Sequence, residues 1–292
     1  MMSEQLLQLL FTGLTLGSIY SIIALTLVTT FNVTGILNLA QGEFVVIGAL
    51  LAVSLHGTGM PMVAVFLASV VLVAILGGLL ERLTIHRARG ASSLSMLIIT
   101  IGLSISLRGL ALLIWGTETY SLPAFSKGGP LIIGGAALNP QSLWIFALVA
   151  VTLAGLYVFF EHTFWGKAVK ASVYNQTGAR LQGINLNTIS FLAFVTAGGL
   201  GAAAGVSIGP ITMVTYDMGF MLGVKGFVAA AIGGFSNVGG AVIGGILLGI
   251  LESFSSGLIS SGLKDAISMV ILLGVLLFRP EGIIGVRRER KI

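Results

Sequence analysis

Gly226-Phe-Val-Ala-Ala-Ala-Ile-Gly-Gly-Phe-Ser-Asn-Val-Gly-Gly-Ala-Val-Ile-Gly-Gly-Ile-Leu-Leu-Gly-Ile-Leu-Glu-Ser-Phe254 is the stretch on which the fold turns. It carries one ionisable side chain, Glu252, and is otherwise apolar or small. Its centre, Gly233-Gly-Phe-Ser-Asn-Val-Gly-Gly240, breaks a helix. Broken backbone at the depth of a bilayer is tolerated only where protein buries it or a wet cavity hydrates it. The stretch therefore reads as two apolar arms joined by a turn, inside a protein made of membrane-crossing helices. A hairpin that enters, turns at the glycines and returns is the favoured arrangement; three crossings by short helices are the alternative.

The rest of the chain agrees. Of 292 residues, 56 % are hydrophobic and 9 % charged, against about 25 % charged in a soluble globular chain. Mean hydropathy is +1.05. The 41 glycines suit the close backbone approach of packed membrane helices. Apolar runs long enough to cross lie at about 6–30, 61–81, 93–115, 141–161 and 188–209, with shorter ones at 42–56 and 263–279. The first run is too long for the apolar region of a secretory signal and is read as a retained span. The expected fold is all-α and polytopic: about eight transmembrane segments, some broken or re-entrant, in a single transmembrane domain over 1–292.

Charges between the runs alternate. The 82–90 loop holds Arg82, Arg87 and Arg89; the 162–187 loop holds Lys167, Lys170 and Arg180; the tail holds Arg279, Arg287, Arg288, Arg290 and Lys291. The 116–140 loop offsets Lys127 with Glu118, and 210–223 carries Asp217 without a base. Basic loops remain in the cytoplasm. The C-terminus is thus expected inside and the N-terminus outside. The net charge of +5 reflects this topology and not affinity for nucleic acid. With no cysteine, and His56, His86 and His162 scattered, there is no metal-ligand spacing. Gly166-Lys167 is followed by Ala168, so no phosphate loop of the G-x-x-x-x-G-K-[S/T] type is present, and no nucleophile–base set is visible.

Several groups stand out. Gly13, Gly17 and Ser21, and Ala197, Gly201, Gly205 and Gly209, recur every four residues, which places each set on one helix face. They read as helix packing or as a sliding interface. Asn38, Gln41, Gly42 and Glu43 form a polar group beside a short span, expected near the inner face as a gate or a partner contact. Glu43 also suits the N-terminus of a helix. With Gly233, Gly234 and Asn237 these are the candidates for lining or gating a path. Arg108 lies near the outer end of its span and could snorkel. Lys225 and Glu252 flank the arms of the broken pair and could join each other. Lys264 and Asp265 read as a solvated helix end. In 162–187, Ala168, Ala171, Asn175, Ala179 and Gly183 fall at helical spacing among bases. Such a helix of small residues can dock into another protein, although a plain amphipathic loop would look the same.

Taken together, Gly13-Leu-Thr-Leu-Gly-Ser-Ile-Tyr20, Gly35-Ile-Leu-Asn-Leu-Ala-Gln-Gly-Glu-Phe44, Gly166-Lys-Ala-Val-Lys-Ala171 with Asn175, Ala179-Arg-Leu-Gln-Gly-Ile-Asn185, Lys225-Gly-Phe-Val-Ala-Ala-Ala-Ile-Gly-Gly234 and Arg279-Pro-Glu-Gly282 resemble the shorter permease type of branched-chain amino acid ABC importers. The likeness spans nearly the whole chain. It implies a subunit of the inner membrane working with a second, longer permease, two ATP-binding subunits that use ATP and Mg, and a periplasmic binding protein. It implies no cofactor on this chain. It also implies that Ala171, Asn175, Ala179, Arg180 and Gly183 form the element that couples to the ATPase. The family usually has His where this chain has Gln41 and an aromatic residue where it has Leu39, so the solute is an amino acid or a relative such as urea, a short amide, an aromatic acid or a sugar. A secondary transporter is the rival from another class.

Overall fold

The computed structural model describes residues 2–88, 90–235, 237–279 and 281–284. Arg89, Ser236, Pro280 and the basic residues Arg287, Arg288, Arg290 and Lys291 lie outside them. Eleven α-helices follow one another among the described residues: α1 Met2–Thr34, α2 Gln41–Gly57, α3 Met62–Leu80, α4 Ser93–Trp115, α5 Pro140–His162, α6 Phe164–Tyr174, α7 Gln176–Leu181, α8 Leu186–Ile208, α9 Met218–Gly233, α10 Val238–Leu258 and α11 Lys264–Phe278. A π-helical turn, Glu81–Ile85, extends α3, and a 3-10 turn, Ser261–Leu263, leads into α11. Counting these extensions, seven helices are long and apolar enough to cross a membrane; α2 and α9 are apolar but short. The polytopic helical architecture expected from the sequence is present.

Contacts sort the connections into two ends. At one, Phe31 of α1 stacks edge-on with Phe235, and Val33 packs with Ala168, Val169 and Ile189. This end carries Arg82, Arg87, Lys167, Lys170, Arg180 and Arg279, and is the basic end. At the other, the start of α1 meets a β-hairpin, β1 Leu131–Ile133 and β2 Ala136–Leu138. Gln8 clamps that hairpin, donating to the Ala137 carbonyl at 3.1 Å and accepting from its N–H at 2.8 Å. Tyr120 and Val214 pair their backbones across the same surface. This is the hairpin end; its two short strands have no counterpart in the all-α expectation.

α1 sits at the centre, packed on α8, α9 and α10. Gly13 and Gly17 lie against the backbone of Ile250 and Ile246 on antiparallel α10, so close that a Cβ at either would fall within 2.8 Å of a main-chain atom. Ser21 continues the seam by donating to the Val242 carbonyl at 2.8 Å. Gly205 does the same between α8 and α2, against the Val45 carbonyl oxygen, and Gly201 beside it meets the Phe44 side chain. Both periodic small-residue faces are thus spent inside the chain, on helix packing. Lipid offers apolar side chains no reason to leave it, so this close dispersion contact is what joins the helices.

The outer helices bury one stripe each. On α3 it is Val65, Ser69, Val73 and Gly77, laid on α8; on α4 it is Met96, Thr100, Ser104, Leu107 and Ala111. Their opposite faces expose Leu67, Val71, Ile75, Ile98, Ile101 and Ile105, as lipid contact requires.

The broken pair is found, with two differences from expectation. The first arm begins at Met218, eight residues before the apolar run, because polar Lys225 is carried within the helix. The turn reaches the basic end, where Ile283 and Ile284 donate to the Ile232 and Gly233 carbonyls. The first arm therefore runs from the interior to the basic end, and the second, α10, is long enough to span back from it. Gly234 supplies the turn with φ 98°, a conformation that a side chain resists. Asn237 caps α10 by accepting from the Gly239 N–H at 2.9 Å.

Candidate functional site

The short helices α2 and α9 begin at the same place, in the interior. Gln41 donates from Nε2 to the Ala197 carbonyl at 3.0 Å, and Ala197 is the twelfth of the 23 residues of α8. Glu43 accepts from Ser104 Oγ at 2.7 Å, and Ser104 is the twelfth of the 23 residues of α4. At 1.5 Å per residue both levels lie about 17 Å from either helix end. The Asn38–Glu43 group is thus at mid-depth and not at the inner face. Residues 35–40 fold back into the bundle, so the polar pattern marks a re-entry and not a loop tip.

The start of α9 abuts this point. A Cβ at Gly42 would stand 1.9 Å from the Gly219 carbonyl oxygen and 2.7 Å from the Gly223 nitrogen. Two interrupted helices therefore turn their N-terminal, positively polarised ends toward one carboxylate. Glu43 is 1 % exposed, and Arg108 pairs with it at 3.2 Å while lying over the Phe220 ring at 5.1 Å. Arg108 does not merely snorkel. It neutralises a buried charge whose desolvation would otherwise be large. Asn38 Oδ1 accepts from the Ala40 N–H at 3.1 Å and shapes the re-entry. Asn38 Nδ2 and Gln41 Oε1 are buried without hydrogen-bond partners among the described residues. Each is a buried polar atom whose hydrogen bond a water or a passing polar solute would complete.

An Arg108→Leu chain is expected to lose about 1–3 kcal/mol of stability, because Glu43 keeps only Ser104. Arg108→Lys should recover part of this. Thermal unfolding of the purified chain in detergent measures both, and a neutral Leu variant would refute the pairing.

A second charged group lies on α9–α11. Lys225, 5 % exposed, pairs with Glu252 at 2.5 Å and with Asp265 at 2.8 Å, and Tyr20 Oη lies 3.4 Å from its Nζ. The expected Lys225–Glu252 pair forms. Asp265 is not a solvated end but the third member. Nothing in the local pattern of α11 announces this, because the partner is forty residues away (265 − 225).

At the basic end Thr163 caps α6 and Asn175 caps α7, accepting from Gly166 and Gly178 N–H groups at 3.0 and 2.9 Å. α6 lays Ala168 and Val169 on the bundle and turns Lys167, Lys170 and Ala171 outward; Lys170 pairs with Glu161. Asn175 and Arg180 are exposed, whereas Ala179 is buried. Ala179 therefore shapes the segment from within. Gly183 leaves α7 at φ 79°. Leu181, not singled out in the sequence, projects from the segment at 83 % exposure. Gly233, Gly234 and Asn237 are brought to this same end, away from the mid-depth group.

A family profile described as branched-chain amino acid transport system / permease component matches residues 9–278. The chain is 32 % identical to the high-affinity branched-chain amino acid transport system permease protein BraD of Pseudomonas aeruginosa, over 98 % of each chain. It is 32 % identical to the permease protein LivH of Escherichia coli, over the whole of both. Among solved structures, PsaBC from Streptococcus pneumoniae in complex with Fab is similar in fold, with a TM-score of 0.52 at 16 % identity, covering 96 % of this chain and 97 % of that one.

Proposed function

This chain belongs to the branched-chain amino acid transport permease family, and from that premise we propose that it is the membrane-spanning subunit of an ATP-driven importer for branched-chain or closely related amino acids. The full-length likeness to permeases of that name carries the reading. All of 1–292 serves as one permease unit in a bacterial inner membrane. The concentration of Arg and Lys at one end makes that end cytoplasmic. The N-terminus is then periplasmic and the C-terminus cytoplasmic.

A complex follows from membership of such a family; its composition is our reading. A second, longer permease completes the path, two ATP-binding subunits supply the energy, and a periplasmic binding protein delivers the solute. This chain binds no cofactor and catalyses no reaction. The α6–α7 segment, with Ala171, Asn175, Arg180 and Leu181 turned outward and Ala179 and Gly183 setting its shape, is the docking point for an ATP-binding subunit. Its movement is passed through Val33 and Ile189 to α1 and α8. α8 accepts a hydrogen bond from the Gln41 side chain and α1 packs on α9, so both reach the α2–α9 junction. Loosening of the Gly42–Gly219 contact opens the path at mid-depth.

The test is uptake of radiolabelled leucine by proteoliposomes holding the complete transporter. Uptake should need ATP, the binding protein and the ATP-binding subunits. Leu181→Asp places a charge in an apolar contact and is expected to lower both ATPase co-purification and uptake at least about tenfold, the loss of a single buried apolar anchor, with insertion unchanged. Leucine uptake by this chain alone, driven by an ion gradient, would mean a secondary carrier.

A further inference from the structure

We propose that a cavity at the hairpin end, closed at its base by Lys225, is a binding site for a small zwitterion with an apolar side chain. This rests on the reading of the chain as an amino acid permease and adds a place within it where the solute is held.

The cavity measures about 400 Å³, within the roughly 300–1,000 Å³ of small-molecule sites. Its ionisable lining consists of Lys225, Lys264, Asp217 and Asp265, with the Tyr20 ring beside them. Two cations and two anions leave the lining neutral, which suits a ligand carrying both charges. Ile208, Met221 and Leu222 form an apolar wall able to take a branched side chain.

The Lys225–Asp265 contact supplies the recognition chemistry. Asp265 Oδ1 lies 2.8 Å from Nζ yet is covered without an aligned hydrogen bond. Glu252 holds Lys225 from behind. A zwitterion inserted between Lys225 and Asp265 gives its carboxylate to the ammonium and its own ammonium to the aspartate. Both pairs are then restored. An amine alone repels Lys225 and a carboxylate alone repels Asp265, so each can make only one of the two contacts. Position links the site to the path: Asp217 and Met218 line the cavity, while the next residue, Gly219, rests on Gly42. An occupant therefore touches the end of α9 that closes the mid-depth junction.

The experiment is equilibrium binding of tritiated leucine to the full chain in lipid nanodiscs, competed by isoamylamine and by 4-methylpentanoate, which lack its carboxylate and its ammonium. Saturable leucine binding is expected, with each competitor at least about tenfold weaker. Asp265→Asn should weaken leucine about tenfold, less than for a fully buried pair because the Asp265 side chain is partly exposed, and leave 4-methylpentanoate equal or stronger. Asp265→Glu should restore the order. Met221→Trp, which fills the cavity from its exposed wall, should weaken leucine alike. Equal losses for all three ligands in Asp265→Asn would overturn the site, since a structural role moves them together. So would absent leucine binding in a chain whose complete complex still imports leucine with ATP. If the complete complex imports no branched-chain amino acid, it is the transport reading that falls.

Discussion

A Gly42→Val chain is expected to insert in the membrane and lose transport. The Cβ alone would stand 1.9 Å from the Gly219 carbonyl oxygen and 2.7 Å from the Gly223 nitrogen. Both are main-chain atoms and cannot rotate aside as a side chain can. Relief requires moving the start of α2 from the start of α9, which also separates Glu43 from the helix end that it faces. Overpacking of this kind costs about 1–3 kcal/mol where side chains absorb it, and backbone-on-backbone contact belongs at or above the top of that range. Gly102→Val on α4 is the control, because nothing lies within 4 Å of its added Cβ. Leucine uptake and thermal unfolding, measured on both, should fall for Gly42 and stay near the parent for Gly102. Parental uptake by the Gly42 variant would show that the junction need not be tight.

Lys225→Met is expected to have the second large effect, on stability. Glu252 is 2 % exposed and loses its counter-ion, whereas Asp265, with a side chain 42 % exposed, can turn to water. Breaking a buried pair on one side costs about 3–5 kcal/mol, because the remaining charge stays desolvated. For a chain of this size that lowers Tm by roughly 5–8 °C. Replacing both partners, Lys225→Met with Glu252→Met, removes the stranded charge and should recover most of the loss. A double variant no more stable than the single one would mean that packing around Lys225 matters and its charge does not. The double variant is also the cleaner probe of function. It restores the fold while removing the Lys225 ammonium from the cavity.

Local chemistry explains how much of this was readable beforehand. The long spans and the break near Gly234 follow from apolar runs and from glycines, properties of neighbouring residues. The charge alternation sorted the loops onto two ends, and the contacts around Phe31, Val33 and Gln8 place the same loops together. The group Asn38-Leu-Ala-Gln-Gly-Glu43 was visible as polar residues beside a short span. Its depth was not, because re-entry of 35–40 depends on the pocket that α4, α8 and α9 make for it. Thr100, Ser104 and Arg108 stand four apart on α4, a polar stripe that could have named Glu43's partners in advance.

What the sequence by itself determined is a polytopic helical membrane protein resembling the permease family, its basic end and its breaks; it raised the Lys225–Glu252 pair without deciding it. Only the tertiary structure decided that α2 and α9 meet at mid-depth, that Asp265 joins Lys225, that Ala179 faces inward and Leu181 outward, and that the small-residue faces are spent on α1–α10 and α2–α8 packing. The reason is physical. Hydropathy and helix breaking are set within a few residues along the chain, whereas the contacts between helices named here join residues 40 to more than 200 positions apart, and a bilayer gives apolar helices no sequence-local rule for choosing which neighbour to pack against.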